Sequence, residues 1–154
     1  MLYLELLIQG IVQGSIYALI ALGLTLVYGL LRILHVAHAA LFTLGGYIGV
    51  IVTNATGSLA LAMLVAAVVV GLAGMAMYKF AYEPLLDQPP YIALIASIAL
   101  FIASEEIYRI VFGPYGLSYA TRPLAGQIEL FGGFFLKYAE VLVMALSVIM
   151  LSVL

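Results

Sequence analysis

Residues 6–31 of this chain contain no Asp, Glu, Lys or Arg, and neither do residues 33–78, so Arg32 is the single formal charge between Glu5 and Lys79. Such runs reach or exceed the roughly 20 apolar residues that cross the ~30 Å hydrocarbon core of a bilayer. In hydrocarbon the backbone must satisfy its own hydrogen bonds, which leaves helices and closed barrels as the spanning structures. The runs lack the apolar–polar alternation of a barrel strand and therefore read as helices. The polar break Asn54-Ala-Thr-Gly-Ser58 divides the second run, which places spans over 6–31, 36–53 and 59–78.

A fourth span, 91–112, follows Glu83-Pro-Leu-Leu-Asp-Gln-Pro-Pro90. Three prolines and two acids there predict a loop, with residues 79–90 outside the hydrocarbon. After Gly113-Pro114 comes a mixed stretch to Lys137 carrying Gly116, Pro123, Gly126 and Gly132-Gly133, then a fifth apolar run over 138–154. That run stops at Leu154 while still apolar and uncapped, which predicts a longer natural chain. The expected fold is all-α, a polytopic membrane bundle of about five transmembrane helices, with residues 1–154 forming a single transmembrane domain.

Composition narrows function. With 67% hydrophobic residues, five Lys or Arg and seven Asp or Glu, the chain is excluded as a soluble monomer. Five scattered basic residues leave no patch to neutralise phosphates, so nucleic acid is not an expected partner, whereas the lipid bilayer is. The absence of cysteine removes disulfides, thiolate nucleophiles and Cys-based metal sites. The start, Met1-Leu-Tyr-Leu-Glu5, lacks the basic region of a signal peptide, so the first helix is expected to be retained. Tyr3, Tyr28, Tyr78, Tyr82, Tyr91, Tyr108 and Tyr138 fall near span ends, where amphipathic rings prefer the interface. Loops on alternating sides give Arg32 and Lys79 to one face and Arg109, Arg122 and Lys137 to the other, and the count alone would put the second face inside.

Small residues at four-residue spacing mark helix packing: Gly10, Gly14 and Ala18 in the first span, Gly45 and Gly49 in the second. Ala62 with Ala66 and Ala67 with Gly71 in the third span, and Ala93 with Ser97 and Ala96 with Leu100 in the fourth, continue the spacing. Gln9 and Gln13 lie one turn apart, and amides are too costly to leave against lipid, so both are expected to face inward as interhelical glue or pathway lining. His35 and His38, three residues apart at the start of the second span, read first as hydrogen-bonded structural histidines and second as pathway or gating groups. Two imidazoles without a neighbouring Cys, Asp or Glu do not make a zinc site, so no metal is expected. Glu105, Glu106 and Arg109 offer an intrahelical ion pair near the interface, with Glu105 in the favourable i,i+4 position and Glu106 at i+3. No phosphate loop, nucleophile elbow or His-Glu-x-x-His helix occurs, so catalytic residues are not expected.

The stretches Gln13-Gly-Ser-Ile-Tyr-Ala-Leu-Ile-Ala-Leu-Gly-Leu-Thr-Leu-Val-Tyr-Gly29, Arg32-Ile-Leu-His-Val-Ala-His38 and Leu41-Phe-Thr-Leu-Gly-Gly-Tyr47 closely resemble the permease subunits of bacterial ABC importers for branched-chain amino acids. Tyr82-Glu-Pro-Leu85, Ile92-Ala-Leu-Ile-Ala-Ser-Ile-Ala99 and Phe112-Gly-Pro114 extend the resemblance over almost the whole chain. Members are roughly twice as long, so the chain resembles their N-terminal part. The resemblance implies a multi-pass protein of the bacterial inner membrane with its N-terminus periplasmic, reversing the basic-residue count. It implies a pathway shared with a second permease subunit, cytoplasmic ATPase subunits that use ATP, and a periplasmic substrate-binding protein. No cofactor is implied for the permease itself. On this reading Gln9, Gln13, His35 and His38 are candidates for the translocation pathway.

Two departures from the family pattern stand out. Where the family reads Asn-Phe-Ala-His-Gly and then an acid, this chain has His35-Val-Ala-His-Ala-Ala40, and Glu83 replaces an arginine. The substrate expectation therefore widens to branched-chain or related small amino acids or amides. A non-transporting membrane scaffold or packing subunit is the alternative. An ion channel, which would show a polar stripe or acidic ring, ranks third.

Overall fold

The computed structural model describes residues 2–120, 124, 126–131 and 134–153. Met1, Arg122, Pro123, the Gly132-Gly133 pair and Leu154, all used in the sequence reading, lie outside the described residues. The elements are α1 (Leu2–Leu31), α2 (His38–Thr56), α3 (Leu59–Met77), α4 (Pro90–Phe112), a hairpin of β1 (Gln127–Phe131) and β2 (Phe134–Lys137), and α5 (Tyr138–Val153). The protein is a helical, multi-pass membrane protein. Four stretches are long and apolar enough to cross a bilayer: Tyr3–Leu30, His38–Thr56, Leu59–Leu85 and Pro90–Phe112. The fifth expected span forms a helix of 16 residues, about 24 Å at 1.5 Å per residue.

The chain divides into two compact units, residues 26–123 and residues 1–25 with 124–154. In the first of these, α2 and α3 form an antiparallel hairpin whose reversal takes two residues. Gly57 adopts the left-handed conformation (φ 70°) and donates its N–H to the Thr53 carbonyl, 2.8 Å away, which closes α2. Ser58 then caps α3 by accepting a hydrogen bond from the Leu61 N–H. The buried positions across α2, α3 and α4 are mostly small: Ala37, Ala40, Ala62, Ala93, Ser97 and Ser104. Helices in lipid associate through close backbone approach, which such residues permit.

The expected loop after α3 is partly helical. Tyr78–Tyr82 form a π-turn and Glu83–Leu85 a 3-10 turn, so helical structure runs on to Leu85. Pro84 explains the change of pitch. In an α-helix its ring would collide with the carbonyl four residues back, that of Phe80. Widening the preceding turn relieves the clash, and the Glu83 N–H reaches back five residues to the Tyr78 carbonyl. Pro90 then starts α4 at a first-turn position, where its missing N–H leaves no gap.

In the second unit the stretch before α5 is a hairpin rather than irregular chain, the one departure from helix in class among the described residues. Gln127 pairs with Lys137, Ile128 with Leu136 and Glu129 with Phe135, and a bulge lies between Glu129 and Phe131. The Tyr138 N–H donates to the Gly126 carbonyl at the base, and Glu140 accepts from the Lys137 N–H to cap α5.

The cysteine-free sequence allows a direct check of the spans. In open membrane sheets, Gln88→Cys should react fully with a membrane-impermeant maleimide, while Leu72→Cys, on the outer surface of α3, should stay protected until detergent is added. Equal labelling of both before detergent would remove α3 from the bilayer.

Candidate functional site

The polar residues of the unit 26–123 gather at the end where the α1–α2 connection meets the end of α3 and the first turns of α4. The connection, residues 32–37, begins with Arg32 in the left-handed conformation (φ 53°), its N–H donating to the Tyr28 carbonyl at 2.8 Å to close α1. A non-glycine residue there costs about 1–2 kcal/mol. At the far end of the connection, Ala37 has no side chain with which to cap α2. Its own N–H is taken up instead by the Ser97 hydroxyl of α4, 3.0 Å away.

His35 lies between these points. Its Nδ1 stands 2.7 Å from the Tyr82 hydroxyl, and the rings meet edge to face with centroids 5.2 Å apart. Ser97 of α4 holds the same connection through the Ala37 N–H. All three residues are buried, His35 at 6%, Tyr82 at 2% and Ser97 at 0% exposure. His38, at the start of α2, is half-buried with its ring centroid 6.2 Å from that of His35. Burial, reinforced by the neighbouring His38, lowers the His35 pKa below the usual 6.5, so the imidazole is neutral near pH 7.

The arrangement joins three chain segments by two buried hydrogen bonds, one from the Ala37 N–H to the Ser97 hydroxyl of α4 and one between His35 Nδ1 and the Tyr82 hydroxyl beyond α3. Its groups are hydroxyls, imidazoles and a backbone amide, which hydrogen-bond polar groups and can hold a proton. Among the described residues no group of three or more His, Cys, Asp or Glu is placed to hold a metal ion.

The opposite end of this unit is fastened differently. The Asn54 side chain, near the end of α2, donates to the Ser118 carbonyl (3.1 Å) and accepts from the Ala120 N–H (2.9 Å). Between the two ends, Tyr47 of α2 stacks on Phe112 with centroids 4.3 Å apart, and the Tyr108 hydroxyl donates to the carbonyl of Ala40 in the first turn of α2 at 3.0 Å.

Of the residues singled out by sequence, the fold brings His35 and His38 together. Gln9 and Gln13 lie on exposed positions of α1, and the space around Gly10, Gly14 and Gly49 is open. Gly45 faces Val70 of α3, so a methyl group there would touch the valine at 3.5 Å. Arg109 pairs with Glu106 at 3.2 Å rather than with Glu105. Both partners are exposed, so the pair adds little stability. Tyr82 and Tyr108, grouped by sequence with the interfacial rings, turn inward, and Ser97, read as a packing residue, accepts from the Ala37 N–H. Tyr82 stands within Tyr-Glu-Pro-Leu, and the proline two residues later was the readable sign of an altered turn.

Over residues 6–154 the chain matches the family described as branched-chain amino acid transport system / permease component. It is 33% identical over 120 residues, 72% of this chain and 39% of the relative, to the high-affinity branched-chain amino acid transport system permease protein LivH of Escherichia coli strain K12. The corresponding protein BraD of Pseudomonas aeruginosa is 34% identical over 109 residues, 65% of this chain and 36% of the relative. LivH of Salmonella typhimurium is 30% identical over 120 residues, 72% of this chain and 39% of the relative. The chain thus spans about two fifths of the length of these curated relatives. No solved structure matches it.

Removing the Tyr82 hydroxyl should leave His35 Nδ1 without its buried partner. Tyr82→Phe is expected to destabilise the unit by about 1–3 kcal/mol, read as a lower thermal unfolding midpoint in detergent. Tyr91→Phe, on an exposed ring, should leave the midpoint unchanged, and equal midpoints for both variants would remove the energetic role of the buried bond.

Proposed function

The chain belongs to the branched-chain amino acid transport permease family, and we propose that it forms part of the membrane subunit through which an ABC importer moves branched-chain or related small amino acids. The observation that carries this reading is the match to the permease family over residues 6–154, in a bundle whose α1–α2 connection is held by the buried His35–Tyr82 and Ala37–Ser97 hydrogen bonds. Ionisable and hydroxyl groups are expensive at the margin of a membrane, and they mark helix junctions that work rather than merely pack.

On this reading the protein is a transport component and not an enzyme. ATP is consumed by cytoplasmic ATPase subunits, a second permease subunit completes the pathway, and a periplasmic binding protein delivers the solute. The subunit lies in the bacterial inner membrane with its N-terminus periplasmic, which puts residues 79–90 in the cytoplasm. His38 lines the route, because it is only half-buried while His35 beside it is enclosed. Gln9 and Gln13 on α1 supply further polar lining. Ala40 leaves no carboxylate in the first turn of α2, so an ammonium group passing there meets imidazole and hydroxyl groups instead.

Reconstituting the complete transporter in proteoliposomes tests the reading. His38→Leu and Gln13→Leu should each lower ATP-dependent uptake about tenfold, equivalent to about 1.4 kcal/mol in the transport barrier, with membrane insertion and unfolding midpoint preserved. Full uptake by both variants would return the two residues to packing roles. A Cys at Gln88 accessible only from the periplasm would invert the topology.

A further inference from the structure

We propose that Arg32 is the headgroup contact of a binding site for an anionic phospholipid, at the rim where α1 leaves the hydrocarbon. The site stands apart from the transport reading, since it needs only the membrane span and the geometry at the end of α1.

Three helices end on a residue of positive φ, and they do so with different side chains. α2 closes on Gly57 (φ 70°) and α4 on Gly113 (φ 83°), whereas α1 closes on Arg32 (φ 53°). Gly116 (φ 69°) has the same sign, so among the described residues Arg32 is the one non-glycine in this conformation. Glycine adopts it freely because it has no Cβ, whereas an arginine strains the backbone. The bond that closes α1, from the Arg32 N–H to the Tyr28 carbonyl at 2.8 Å, is a backbone bond that glycine would make equally well. The Arg32 side chain is exposed, and the ion pairs among the described residues, Arg109–Glu106 and Lys137–Glu140, do not include it. A strained position occupied by a side chain without an ionic partner in the fold points to a partner outside it.

The surroundings of Arg32 set the chemistry of that partner. Tyr28, Leu30, Leu34 and Val36 flank it along the chain and are all exposed, Leu30 at 83%. The cation thus sits among apolar side chains at the point where the charge-free run of residues 6–31 ends. A phospholipid matches both features, with acyl chains for the leucines and a phosphate whose oxygens suit the planar fork of a guanidinium. Tyr28, apolar in its ring and polar at its tip, belongs at the same depth. Lys79 brings a second exposed cation to this end of the unit, where α3 passes into the π-turn, and Phe80 beside it is 78% exposed. On α1 and on α3 alike, the first charge met on leaving the hydrocarbon is therefore basic, while Glu83 and Asp87 lie further along the loop. An acidic protein surface would match the guanidinium and leave Leu30 and Leu34 without a partner, so the combination favours lipid.

Thermal unfolding of the full chain in an uncharged detergent, with lipid added, reads the site. Phosphatidylglycerol should raise the midpoint more than zwitterionic phosphatidylcholine does. Glycerol phosphate, which has the headgroup phosphate without the acyl chains, should leave it unchanged. Arg32→Gly is expected to act in two directions: a higher midpoint without lipid, because the strain is gone, and about fivefold weaker half-saturation by phosphatidylglycerol, the weight of one basic group at an anionic surface. Arg32→Gln, which keeps the strain and loses the charge, should show the weaker lipid response without the higher midpoint. Arg32→Lys should keep most of the response, and Arg109→Gln, whose charge is already paired with Glu106, should keep all of it. An unchanged phosphatidylglycerol response in both the glycine and the glutamine variant would overturn the site. Equal responses to the two lipids would remove the headgroup charge from it, and a response to glycerol phosphate equal to that of the lipid would assign Arg32 to free phosphate instead.

Discussion

A backbone amide freed from a helix within or beside hydrocarbon must find another partner, and the connections of this protein can be read as answers to that demand. Where α1 stops, the Arg32 N–H returns to the Tyr28 carbonyl. Where α2 starts without a capping side chain, Ser97 of another helix accepts from Ala37. Where Pro84 forbids α-helical pitch, the turn widens and the Glu83 N–H bonds five residues back. Where the chain enters the stretch after α4, Asn54 satisfies one donor and one acceptor of residues 118–120. Two of these repairs are made by another element, and they tie α2 to α4 and to the segment beyond it.

Small buried residues serve the same end. The Ala37 N–H reaches Ser97 only because the flanking buried positions, Ala40 and Ala93, let α2 and α4 come close. A larger core would hold the helices apart and strand the amide. In lipid, large side chains gain little by leaving hydrocarbon for a protein interior, so the bundle leaves Leu, Ile and Phe on its outer surface and keeps Ala and Ser inside. This reverses the arrangement expected of a water-soluble core of similar size.

The spans were legible because charge-free length and the backbone's need for internal hydrogen bonds permit few solutions, and observed helix ends lie within a few residues of those read from Asn54–Ser58 and Gly113-Pro114. The loop after α3 was less legible. By sequence Pro84 reads as a stop, although a widened turn accommodates its ring and carries the helix onward. The hairpin carried a readable sign, Gly132-Gly133 between two apolar runs, but the surrounding glycines and prolines gave it the look of irregular chain. Within the site, His35 and His38 were visible as ionisable groups at a span boundary. Tyr82 was not, because a tyrosine near a span end has the same sequence signature whether its ring meets headgroups or turns inward. Long-range partnership, here across 47 residues from His35, leaves no local pattern.

The two ends of the unit 26–123 are fastened by different kinds of contact. At the Asn54 end, a bidentate amide clamp joins α2 to the chain beyond α4, with the Tyr47–Phe112 stack between the two ends, and none of these contacts depends on a titratable group gaining or losing a proton near neutral pH. At the His35 end the fastening is made of separate hydrogen bonds, His35 with Tyr82 and Ala37 with Ser97, and the Tyr108–Ala40 bond follows one turn further along α2. The strained Arg32 and the π-turn also lie there, and both are conformations that neighbouring contacts must maintain. The α1–α2 connection is therefore held by contacts from the turn beyond α3 and from α4 rather than by a side-chain cap of its own, and losing either contact would leave a buried imidazole or amide without its partner.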